Sequence, residues 1–76
     1  MFAAFIPNSG VIEQVNSKEL AHREAKDLLN EIPTAAGDIY VVEYGNNGLI
    51  LTSWLLTPEG DLEDSDEFIG DNVNSL

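Results

Sequence analysis

The chain contains no cysteine. It can therefore form no disulfide and no thiolate zinc site, and its core must hold by apolar burial. Lack of thiols fits a reducing compartment, and the expected location is cytoplasmic (host cytoplasm, were the chain phage-encoded). Positive charge is nearly missing as well. Three Lys and Arg residues face fourteen Asp and Glu, for a formal net charge of −11. A surface of that sign repels nucleic acid and anionic lipid, which argues against direct DNA or RNA binding and against a membrane partner. No apolar run approaches the roughly 18–20 residues of a membrane-spanning helix. Met1–Ile6 is apolar but stops at Pro7-Asn8, has no basic flank and is too short for a signal-peptide core, so it reads as a first strand.

At 76 residues the chain is close to the lower limit for an unaided fold. Such a domain buries only roughly 60–65% of the surface its unfolded chain exposes. A hydrophobic fraction of 43% is adequate for this. Phe2–Ile6 and Val11–Val15 flank Pro7-Asn8-Ser9-Gly10, whose residues suit a tight turn, so the pair predicts a β-hairpin. The next segment predicts a helix from about Ser17 to about Glu31. Asn16 stands as its cap, Glu19 completes a capping box, and Val15 with Leu20 forms a hydrophobic staple. Ala21, Ala25, Leu28, Leu29 and Ile32 recur at helical spacing, and Pro33 stops the run. Asp38–Tyr44 and Leu49–Leu56 flank Gly45-Asn46-Asn47-Gly48 and predict a second hairpin.

The expected architecture is α+β with the order ββαββ. Four antiparallel strands in the order 2-1-3-4 carry one helix on one face, and an acidic C-terminal segment follows. Residues 1–62 form the domain, and residues 63–76 form a partly docked acidic segment. Asp61-Leu62-Glu63 either adds a short strand or follows an edge. Ser65–Ile69 is expected to make one helical turn ended by Gly70. One helix covers only one sheet face, so the other is either closed by Phe68 and Ile69 or left open.

Groups suited to catalysis are sparse. His22 is the only histidine, placed mid-helix with no orienting carboxylate of its own, and it reads as a surface residue. No Ser-His-Asp order, nucleophile elbow or phosphate-cradling glycine loop is present. The acids from Asp61 to Glu67 are dense in hard oxygen ligands, yet an EF-hand counted from Asp61 has Asp66 at its glycine position and Asn72 at its closing position. No catalytic residue, cofactor or metal site is expected, and the chain reads as a non-enzyme.

The uneven charge is the feature with functional content. Lys18, Arg23 and Lys26 all lie in the predicted helix, so every other acid lacks a basic sequence neighbour. In an extended segment Glu59, Asp61 and Glu63 would face one side about 6.6 Å apart, comparable to successive phosphates of a nucleic acid. Asp64, Asp66 and Glu67 continue the row. These six carboxylates, with Trp54 or Tyr44 adding apolar grip, are the expected docking surface for a basic patch on another protein. The implied function is a small acidic inhibitor that occludes a nucleic-acid-binding surface, a DNA mimic. Phage-encoded inhibitors of host defence or transcription, of the anti-restriction or anti-CRISPR class, share this size and acidity, although no family motif is present. The alternative is an assembly protein that forms a homodimer through an open sheet face.

Overall fold

A computed structural model describes all residues from Met1 to Leu76. Strands β1 (Phe2–Ile6) and β2 (Val11–Val15) form the first hairpin, followed by helix α1 (Lys18–Glu31). Strands β3 (Tyr40–Tyr44), β4 (Ile50–Leu56) and β5 (Leu62–Ser65) complete one antiparallel sheet in the order β2-β1-β3-β4-β5. The expected class and the 2-1-3-4 order are found, but the sheet has five strands rather than four. Leu62 pairs with Leu56 and packs against the helix-side core, which recruits the segment to the edge. Of the two readings of Asp61-Leu62-Glu63, the short strand is the one found, and it runs on to Ser65. The 62/63 division falls inside this fifth strand.

In the first turn, Ser9 Oγ donates to Ile6 O at 2.6 Å and accepts from Val11 N at 3.0 Å. The helix starts one residue later than its sequence suggests. Ser17, not Asn16, is the cap, and its Oγ accepts from Leu20 N at 3.1 Å. Glu19 consequently sits in the first turn, one place too early to close a capping box. There it faces the positive end of the helix dipole. Leu20 remains 37% exposed. Ala21, Ala25 and Leu28 are the buried residues of the helix. The two small side chains let it lie close on Ala4 and Val41, in a core that also holds Ile39, Trp54 and Leu56. Beyond Ile32, Pro33 opens a short 3-10 turn through Ala35.

The opposite face of the sheet is closed by the chain's own tail. Ala3, Phe5, Val42, Tyr44, Ile50 and Val73 form a second core, with Ile12, Tyr40, Phe68 and Leu76 packed at its margin. Val73 and Leu76 complete the cover together with Phe68, whereas Ile69 is 48% exposed. Burying a large aliphatic or aromatic side chain is worth roughly 1.5–3 kcal/mol, so this strap is a substantial share of a small domain's stability. The helical turn expected at Ser65–Ile69 is absent. Ser65 belongs to β5, and Glu67–Gly70 forms a turn with positive φ at Phe68 and Gly70. Backbone bonds then fix the strap: Gly70 N to Ile50 O, Ile50 N to Asp71 O, and Val73 N to Gly48 O at 2.8 Å. Asn72 Nδ2 adds a bond to Asn47 O. No helix is long and apolar enough to cross a membrane.

Candidate functional site: an acidic sheet edge

β5 is an outer strand, so one side of its backbone has no sheet partner. Glu59, Asp61, Glu63, Asp64, Asp66 and Glu67 are all exposed along it and its flanks. The structure brings Glu59, Asp61, Glu63 and Asp64 to one edge but not into one row, and the turn after β5 carries Glu67 off the edge toward Tyr40 on the tail face. Glu59 lies in the turn after β4, ahead of Gly60 at φ +92°, which breaks the extended run. Within β5, Glu63 stands opposite Leu55 and Asp64 opposite Trp54. Neighbouring strand residues face opposite sides, so the carboxylates wrap around the edge. Only Asp61 and Glu63 keep the expected same-side alternation.

The two aromatic residues expected to grip a partner are buried. Trp54 and Tyr44 are each 9% exposed, Trp54 in the core beneath the helix and Tyr44 in the core beneath the tail. Strand alternation divides them between the faces, so they form no joint patch beside the acids. Lys18 Nζ covers the Trp54 ring at 4.2 Å from its centroid.

Helix lysines reach this side of the edge. Lys18 stands over Trp54, the cross-strand neighbour of Asp64. The Lys26 stem runs beside Gly60, where a Cβ would lie 3.5 Å from Lys26 Cδ. Since every Lys and Arg belongs to the helix, the tail side of the edge contributes no base of its own. His22 Nε2 lies 2.6 Å from Gly60 O, tying α1 to the turn that leads into β5. Its sequence gives this helical neighbour no visible partner, because Gly60 is remote in the chain.

On the tail side, Tyr40 stacks on Phe5 with centroids 6.0 Å apart, and Phe68 meets both rings edge-on at 5.0 Å. Burial raises the Tyr40 phenol above its ordinary value, and the carboxylates of Glu67 and Asp38 raise it further. No three His, Asp or Glu side chains converge in a way that could hold a metal ion. The sheet face expected to serve a homodimer lies under the tail, so assembly through it requires the strap to leave.

One cavity, of about 290 Å³, lies between the first turn and the tail. Pro7, Asn8, Phe68, Asp71, Ser75 and Leu76 line it, together with Asn72. Sequence reasoning missed it because its walls come from opposite ends of the chain. Comparison with protein-family models, curated proteins and solved structures finds no match.

Proposed function

We propose that the chain is a non-enzymatic protein-binding inhibitor whose acidic edge occludes a basic, nucleic-acid-binding surface of another protein. The single observation that carries this reading is the run of exposed acids Glu59, Asp61, Glu63, Asp64 and Asp66 along β5 and its flanks, with Glu67 turning from its end onto the tail face. An edge strand rich in charge also resists pairing with other strands, but that need is met by one or two inward or lateral charges. Six in nine residues supply more than half of the net charge of −11, a self-repulsion that solubility does not require. Because the acids wrap around an edge, the complementary surface is a groove or cleft lined by Lys and Arg on both walls. Trp54 and Tyr44, each 9% exposed, lie beneath the surface and leave the grip to the carboxylates. The compartment proposed for this encounter is the cytoplasm, and phage-type host takeover or anti-defence is the matching biological class.

The test is competition. Proteins retained from a host lysate by the immobilised chain should be released by duplex DNA and by salt above about 0.5 M, where the Debye length falls below roughly 5 Å. Retention that survives both treatments rules out electrostatic occlusion. Assembly as a homodimer through the sheet face gains no support from a face that is already covered.

A further inference from the structure

The cavity between the β1–β2 turn and the tail points to a ligand. Its volume, about 290 Å³, lies at the bottom of the roughly 300–1,000 Å³ range of small-molecule pockets. It suits one side chain better than a nucleotide or flavin. Pro7, Phe68 and Leu76 give it apolar walls, while Asn8, Asp71 and Ser75 supply oxygen acceptors and no Lys or Arg lines it. Asp71 joins the fold through its backbone, its N donating to Phe68 O and its O accepting from Ile50 N. Its carboxylate is exposed and makes no hydrogen bond within the chain. Asn72 is already committed, with Nδ2 donating to Asn47 O and Oδ1 accepting from Asn74 N.

Backbone strain converges on the same place. Asn8 (φ 61°) and Phe68 (φ 71°) are the non-glycine residues with positive φ, and both line this cavity. Asn tolerates the left-handed region, whereas a bulky aromatic residue does not adopt it without compensation. The Phe68 ring is held by Phe5 and Tyr40. Strained residues of this kind concentrate at ligand clamps.

We propose that this cavity receives the guanidinium of an arginine side chain presented by a protein partner. The Asp71 carboxylate, Asn8 Oδ1 and Ser75 Oγ can accept from its N–H groups, and the Phe68 ring offers the aromatic contact that guanidinium favours. Arginine is preferred over lysine because its planar fork matches several spread acceptors and is more weakly hydrated than an ammonium. An arginine within a polypeptide is preferred over the free amino acid, whose carboxylate a chain at −11 repels. The inference rests on the reading of the chain as a binder of basic protein surfaces, and it supplies that reading with one specific anchor.

The experiment is an amide-shift NMR titration of the full chain with N-acetyl-arginine methylamide. Its lysine and citrulline counterparts and free arginine are run alongside. Saturable shifts are expected at Asn8, Phe68, Asp71 and Ser75, with a dissociation constant on the order of millimolar for so small a probe. D71N should weaken binding about three- to tenfold. N8G keeps the backbone conformation, removes the amide and should weaken it less. The neutral citrulline probe should not saturate, and a D61N/E63Q variant should bind arginine like the parent. Equal affinity for citrulline, parent-like binding by D71N, or free arginine binding as tightly as the capped form would each overturn the proposal. Probe binding as stated, with partner capture unaffected by edge neutralisation, sinks the acidic-edge reading and leaves the cavity standing. The reverse pattern sinks the cavity alone.

Discussion

His22 Nε2 donates to the Gly60 carbonyl oxygen at 2.6 Å, joining the middle of α1 to the turn that delivers the acidic edge. A carbonyl can only accept, so Nε2 is the protonated ring nitrogen. The one histidine of the chain is thus a clamp between two layers. Removing it as His22→Ala should cost about 0.5–1.5 kcal/mol, a fall of roughly 4–8 °C in melting temperature per kcal/mol for a domain of this size. Amide exchange should accelerate locally at Glu59–Asp61, and unchanged exchange there would show that the clamp holds nothing.

Phe68 is the pin of the tail. Its half-buried ring contacts Phe5 and Tyr40, and it adopts φ 71° to do so. Phe68→Ala should destabilise by about 2–3 kcal/mol, at the low end for aromatic truncations because the ring is only partly buried. The loss should appear first as tail release, read as faster exchange of the Val73 amide that bonds Gly48 O. A variant that loses stability evenly across the sheet, with the tail still protected, would contradict this.

Ser53 carries the buried side-chain oxygen without a hydrogen-bond partner, at 1% exposure between Val42 and Ser65. An unmet hydroxyl in such a site costs about 1–3 kcal/mol of desolvation. Ser53→Ala should therefore be neutral or stabilising by up to about 1 kcal/mol in chemical denaturation. A clear loss of stability would mean that the hydroxyl has a partner, such as an ordered water.

Tyr40 gives the fold an alkaline limit. Burial, then Glu67 and Asp38, raise its pKa in the folded state. Above about pH 10, the ordinary phenol value, the unfolded chain releases this proton first, so the folded state binds more protons and stability falls as pH rises. Below that value the contribution is fully present. Denaturation midpoints should decline through the pH interval above about 10, and Tyr40→Phe should remove part of that slope. An identical slope in the variant would assign it to other groups.

Strong periodicity made most of the framework legible in the sequence. The turn residues at Pro7–Gly10 and Gly45–Gly48, the Ala21-Ala25-Leu28 stripe and the Pro33 stop all mark elements that the structure contains. Asn16 and Ser17 are both good caps, and only the backbone decides between them. β5 was ambiguous because a four-residue edge strand with two charges has too little alternation to identify itself. The tail strap depends on Phe68, Val73 and Leu76 meeting residues from the first three strands and the β3–β4 region, contacts that no local pattern encodes. Charge composition identified the acids of the candidate edge but not their arrangement. Gly60 turns Glu59 out of the row, and strand alternation sends Glu63 and Asp64 to opposite sides.

The most direct measurement compares two charge-matched variants in partner capture. One replaces Glu59, Asp61, Glu63 and Asp64 along the edge by their amides. The other does the same to Glu19, Glu24, Asp27 and Glu31 on the helix. Each raises the net charge equally, so bulk electrostatics cannot separate them. Edge docking predicts that DNA-displaceable proteins are lost from the edge variant and kept by the helix variant. Equal retention by both, or equal loss from both, would contradict it.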